Sequence, residues 1–190
     1  SVWTLLELLL VLGCMAAWPQ QHQAAKQPVW VASWGASQQS PEPQNARSPE
    51  DLTDVILRQV FHLSTGGPAL RVHFSNAFGT EPLYITSAHI ARPASPAASA
   101  IEPSSDTALT FGGSREIAIP PGAEIISDPV DFVAPPLSDL AVTFHLQSAP
   151  ARETGHPGSR ETSYYVHGES VSAATLTTAK TVDHWYQVSE

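Results

Sequence analysis

The run Val55–Leu83 reads VILRQVFHLSTGGPALRVHFSNAFGTEPL, and its two apolar stretches decide the fold. Val55–Ser64 is rich in β-branched and aromatic residues. Ala69–Ser75 alternates, with Leu70, Val72 and Phe74 on one side and Arg71, His73 and Ser75 on the other. A period of two marks a half-buried strand. Between the stretches lies Thr65-Gly66-Gly67-Pro68. Paired glycines reach the positive φ a reversal needs, and proline donates nothing to a ladder. The reading is an antiparallel hairpin, with Arg58 and Arg71 on paired strands, and a further strand over Leu83–Ala91. Asn76 and Gly79 form the intervening turn, with Phe78 tucked against the core.

The same punctuation continues outward. Val29–Trp34 reads as a first strand, and Gln38–Glu50, with its prolines, as a loop ending in a short helical turn capped near Ser48. Downstream, Leu109–Phe111, Glu116–Ile119, Glu124–Ile126 and Ser127–Val133 read as short strands. Leu140–Leu146 alternates cleanly, Leu140, Val142, Phe144 and Leu146 inward and Ala141, Thr143 and His145 outward. Ser163–His167 and His184–Ser189 close the series. Arg92–Ser105 and Ser148–Arg160 read as surface loops. About eight to eleven short strands with regular turn signals predict an all-β fold, an antiparallel β-sandwich of jelly-roll-like type. Leu70, Val72, Phe74, Leu140, Val142 and Phe144 are its expected core.

Composition narrows the function. The 190 residues suit one domain with a tail. Eighteen acids against nine bases give a net charge of −9, and no lysine or arginine cluster offers itself to phosphates. The single cysteine, Cys14, permits no intrachain disulfide. Leu5–Val11 is nearly all aliphatic but too short for a membrane span, which takes about 20 residues. It fits the apolar centre of a signal peptide. Val11-Leu12-Gly13-Cys14 is lipobox-like and makes Cys14 a lipidation candidate, with cleavage near Ala16–Ala25 the alternative. Residues 1–27 therefore read as leader and tether, and 28–190 as the sandwich.

A family resemblance attaches to these segments. Leu57–Leu83, together with Trp30–Gln38 (WVASWGASQ), Leu109–Ser114 (LTFGGS), Ile119–Val130, Leu137–Phe144, Thr154–His156 (TGH) and Thr162–Tyr165 (TSYY), resembles in order the region preceding the catalytic domain of secreted SGNH (GDSL-like) hydrolases. The resemblance covers roughly Val29 to Ser189. The family's Gly-Asp-Ser, Gly-x-Asn-Asp and Asp-x-x-His blocks are absent from the sequence. The resemblance implies a fragment, cut at both ends, of an exported ester hydrolase. It implies an accessory β-sandwich whose partner, the serine-esterase domain, lies beyond Glu190, with no cofactor. The alternatives are a free-standing carbohydrate-binding module and a structural or adhesion domain.

Candidate chemistry within the chain is sparse. His62, His73, His89 and His145 lie on strands, yet no His-x-His or Cys-x-x-Cys spacing points to a metal. Ser37 or Ser75 with His156 and Asp128 makes a conceivable triad, but neither serine sits in a nucleophile-elbow motif. No catalytic residue is expected. Arg58, Arg71, Asn76 and His156 are the candidates for substrate or interdomain contact. For the arginines the competing reading is architectural, with guanidinium groups on acids or backbone carbonyls. Trp30, Trp34 and Trp185 offer either a sugar-stacking platform or core packing.

Overall fold

A computed structural model of the protein describes residues 29–96, 98–168 and 170–190. Ser1–Val31 and Ala32–Glu190 are separate units, and every strand among the described residues lies in the second. The leader, its boundary near residue 27 and Cys14 lie outside the described residues. Among the described residues the fold is all-β, punctuated by single 3-10 turns.

The strands are β1 (Thr53–Leu63), β2 (Gly67–Leu70), β3 (His73–Ser75), β4 (Leu83–Ala91), β5 (Thr107–Ala108), β6 (Ile117–Ile119), β7 (Glu124–Ile126), β8 (Val130–Ala134), β9 (Ser138–Ser148), β10 (Gly155–His156), β11 (Ser163–His167), β12 (Lys180–Val182) and β13 (Trp185–Tyr186). A seven-stranded sheet runs β12-β11-β1-β9-β4-β5, with β6 also pairing β4. Three two-stranded ladders, β2–β8, β3–β7 and β10–β13, complete the fold, and every pairing is antiparallel.

The expected hairpin does not form. β1 pairs with β9 and β11, while the residues after the turn pair elsewhere, β2 with β8 and β3 with β7. Arg58 and Arg71 therefore do not stand on paired strands. Ala69–Ser75 is two short strands rather than one, because its halves find different partners. Pro68 sits where the β2–β8 register breaks, as its missing N–H requires. Val29–Trp34 is irregular rather than a strand. β4 matches its expected span, but a bulge between Ile85 and Ser87 shifts its phase, so Ala88 and Ile90 follow Leu83 and Ile85 inward.

The main core lies on one face of the large sheet, beneath the small ladders. Val72, Phe74, Leu140, Val142 and Phe144 are buried in it, and Leu70 packs against its edge. Phe74 meets Phe144 and Phe111 edge-on at 5.2 and 5.7 Å. The opposite face is covered too, so Ala141 and Thr143, expected outward, are buried. Ile56 there packs with Val171 and Leu176, and Ala141 with Ala91 and Ile101. Covering on both faces explains why β1 shows no alternation.

Candidate functional site

The chain's last residues are threaded into the fold and gather around them segments that lie far apart in sequence. Ser75 donates its N–H to the Gln187 carbonyl (2.6 Å), Ser189 donates to His73 (3.0 Å), and His73 donates to Glu190 (2.8 Å). On the other side, Ala36 donates to the Ser189 carbonyl (3.0 Å) and the Gln38 amide to the Val188 carbonyl (3.0 Å). Buried Gln59 supplies its side chain as a ladder partner. Its amide, oriented to satisfy its neighbours, donates to the Tyr186 carbonyl (2.9 Å) and accepts from the Tyr186 N–H (2.6 Å). Gln187 holds φ 48°, which kinks the segment between these two sets of partners.

The Thr154–His156 loop closes the same seam. Gln187 donates to the Thr154 carbonyl (3.0 Å), and the Thr154 hydroxyl accepts from the Phe78 N–H (2.9 Å). Gln39 donates to the Gly155 carbonyl (2.9 Å), and His156 Nδ1 donates to the Ser37 carbonyl (2.8 Å). A Cβ on Gly155 would stand 2.9 Å from the Trp185 carbonyl oxygen, so β10 can approach β13 only with glycine there. His156 stacks on half-buried Trp185, their ring centroids 6.3 Å apart. Trp185 in turn packs edge-on against Trp34 (4.8 Å), and both touch Phe61. Trp34 and Trp185 thus pack on one another rather than lining up as a stacking platform. Trp30 belongs to the other unit.

Beneath the seam lies a buried ion pair. Arg47 donates to both oxygens of Glu153, through Nε at 3.0 Å and through Nη2, and the Gln187 amide adds a bond of 2.9 Å. Burial pulls the Arg47 pKa down, but the Glu153 carboxylate overrides it and holds the guanidinium above its ordinary value. Arg47 also lies over the Tyr186 ring, 5.1 Å from its centroid. The Tyr186 hydroxyl donates to the Asn45 carbonyl (3.0 Å), and burial pushes its pKa well up.

The other candidates are placed as follows. Arg58 is fully enclosed on the second face of the sheet. Its Nε donates to the Thr143 hydroxyl (2.7 Å), and its terminal nitrogens to the carbonyls of Ser99 (2.5 Å) and Ala173 (2.8 Å). It faces no cleft. Arg71 is exposed, and its charge helps hold Asp128 below the ordinary carboxylate range, after the Gly113 N–H and the Thr110 hydroxyl. Asn76 is buried, its amide donating to the carbonyls of Glu81 (2.9 Å) and Ile119 (3.0 Å). A Cβ on Gly79 would collide with the Asn76 side chain at 1.8 Å.

The conceivable triad is not assembled. Asp128 is occupied by Thr110, Gly112 and Gly113, Ser75 Oγ accepts from the Ala77 N–H (3.3 Å), and His156 reaches Ser37 through its carbonyl rather than its hydroxyl. The strand histidines are dispersed onto separate carboxylates: His62 on Asp139, His73 on Glu124, His89 on Asp106 and His145 on Asp54. Among the described residues no group of three or more His, Cys, Asp or Glu is placed to hold a metal ion.

Gln59 and the Arg47–Glu153 pair escaped sequence reasoning, and Thr154 entered it only as part of the Thr154–His156 motif. Gln59 carried a signal, a polar residue inside an apolar run, whereas Arg47 and Glu153 sit in loops with none. No protein-family model matches the chain, and no curated protein matches it.

Proposed function

We propose that this chain is a non-catalytic β-sandwich accessory domain of an exported SGNH-type ester hydrolase, and that its seam supports the serine-esterase domain. One observation carries the reading. Three family-like segments meet around the terminal segment Trp185–Glu190: Ala36 and Gln38 bond to it, the Thr154–His156 loop pairs with it, and the Asn76–Gly79 turn joins through Thr154. A surface assembled from such segments, and bonded through backbone groups on both sides, holds the exit of the chain rigidly. A domain that follows Glu190 starts from a segment bonded into the fold rather than from a loose tether. Ser37, Phe78 and His156 stand at its accessible border, where interdomain contacts belong.

The test is to read the parent frame beyond Glu190 and express the longer protein. The expected result is a Gly-Asp-Ser block shortly after Glu190 and turnover of a short-chain nitrophenyl ester. In that longer protein, His156→Ala is expected to lower thermal stability or turnover more than an exposed substitution such as Glu116→Ala. A downstream frame without that block sinks the hydrolase reading.

A further inference from the structure

The loop after β4 folds back on itself. Arg92 donates its N–H to the Ser105 hydroxyl (2.8 Å), Glu102 donates to the Arg92 carbonyl (2.8 Å), and Ala94 to that of Ala100 (2.9 Å). Between this loop and the β8–β9 turn lies a pocket of about 290 Å³. That is near the lower end of small-molecule sites, roughly 300 Å³. Its apolar lining comes from Leu63, Phe132, Ala134 and Leu140, and its polar groups include Arg92, Glu102 and Asp139.

The charges here are not neutralised by one another. The Arg92 guanidinium lies over the Phe132 ring, 5.1 Å from the centroid, and donates to the Val133 carbonyl (2.7 Å). Among the described residues it makes no ion pair with a carboxylate, and the exposed Glu102 carboxylate has no cation partner. Asp139 is turned to His62 (2.8 Å). An anionic ligand would meet Arg92 but also two carboxylates on a protein of net charge −9. A cationic ligand would meet the guanidinium, and a purely apolar one would strip water from both charges without replacing it. A neutral polyhydroxylated ring meets all three demands. Its hydroxyls donate to Glu102 and accept from Arg92, and its C–H face covers the apolar lining. Leu137, beside the lining Ser138, is held at φ 54° and is 73% exposed. A bulky residue kept in that conformation, with its apolar side chain in water, is the kind of strain found at ligand sites. We propose that this pocket binds one ring of a neutral sugar. The proposal is independent of the hydrolase reading.

The test uses the 190-residue chain, isotope-labelled, and methyl glycosides of glucose, galactose, mannose and N-acetylglucosamine. Amide shifts are followed by NMR. At least one glycoside is expected to shift residues 92–95, 102 and 132–140 with a dissociation constant on the order of 1 mM, as suits so few atoms. Glu102→Gln, an exposed change that leaves the fold intact, is expected to weaken that binding about five-fold or more. Ala94→Trp, which fills the pocket from the exposed loop, is expected to abolish it. No shift at these residues with any glycoside at about 50 mM overturns the proposal, as do shifts confined to Trp34 and Trp185. Stronger binding of butyrate or butylammonium than of every glycoside overturns it as well.

Discussion

The two faces of the seven-stranded sheet are closed by different means. On one face, Val55, Leu57, Phe61, Phe144 and Leu146 meet side chains from other strands. On the other, Ile56, Val60, Ala141 and Thr143 lie under loops, with Arg58 at the centre holding carbonyls of Ser99, Val171 and Ala173. A covering strand arrives with its backbone groups already paired in a ladder. A covering loop arrives with carbonyls that still need donors, and a guanidinium with five N–H groups supplies several at once. Arg58 inside β1 is therefore the counterpart of a loop cover, just as alternation is the counterpart of a strand cover.

The largest expected effect falls on the strand-covered face. Phe144→Ala removes a ring that meets Phe74 edge-on, and is expected to cost about 3–5 kcal/mol in denaturant unfolding. That is a large share of a typical domain's 5–15 kcal/mol. A loss under about 1 kcal/mol would mean that this face is not the main core. On the loop-covered face, Arg58→Leu keeps an apolar stem but leaves loop carbonyls without a donor. The expected cost is about 2–3 kcal/mol, as for buried polar groups left unsatisfied. Hydrogen exchange should accelerate around Val171–Ala173 before the rest of the sheet responds. Unchanged protection there would break the comparison, because the guanidinium would then not be what holds the loop.

The same contrast decides what was legible in the sequence. β4, β7 and β11 fall on their expected spans because their apolar residues and bounding turns are local signals. The core was legible in Val72, Phe74, Val142 and Phe144, whose alternation reflects one apolar face. The hairpin misread came from pairing. A Gly-Gly turn promised that β1 would meet β2, yet β1 is filled on both edges by β9 and β11, which lie about eighty and a hundred residues away. No local signal reports such partners. In the seam, the Asn76 turn and the His156 loop were legible as turn and loop. Their meeting with Tyr186–Ser189 was not, because most of its hydrogen bonds join backbone groups far apart in sequence, and such bonds leave little mark on residue type.

A smaller effect sharpens the contrast through pH. The segment that covers the second face ends at Lys180, whose ammonium lies 2.9 Å from both oxygens of nearly buried Asp51. Burial pushes the Asp51 pKa up, but hydrogen bonds from Lys180, Ser48 and His167 outweigh it and hold the carboxyl below its ordinary value. A carboxyl lowered by folding adds stability above its unfolded pKa, about 3.9, and that share is lost as pH falls through the folded value. Wild-type stability is expected to fall more steeply below about pH 4 than that of Asp51→Asn, measured as midpoint against pH. Phe144→Ala, on the apolar face, is expected to shift the curve down without changing that slope. Parallel curves for wild type and Asp51→Asn would remove the electrostatic tie from the account.

The smallest expected effect is none. In this protein the polar groups that the fold draws inward act as ties: Arg58 on loop carbonyls, Gln59 on Tyr186, Asn76 on Glu81 and Ile119, Arg47 on Glu153. If the same holds for the residues most easily mistaken for chemistry, Ser37, Ser75 and His156 are ties as well. Serine hydrolysis needs a nucleophile, a base within hydrogen-bond reach of its hydroxyl, and donors for the oxyanion. His156 Nδ1 is spent on the Ser37 carbonyl, Ser75 Oγ accepts from the Ala77 N–H, and Asp128 is held by the Gly112–Gly113 turn. The purified chain is expected to turn over a short-chain nitrophenyl ester at the buffer rate, unchanged by Ser37→Ala, Ser75→Ala or His156→Ala. Stability separates the three: Ser75 is buried beside the terminal segment, so Ser75→Ala should lower the unfolding midpoint more than Ser37→Ala, whose side chain is exposed. Turnover well above the buffer rate and abolished by one of these changes would show that polar groups here do more than tie, and the accessory reading would fall with it.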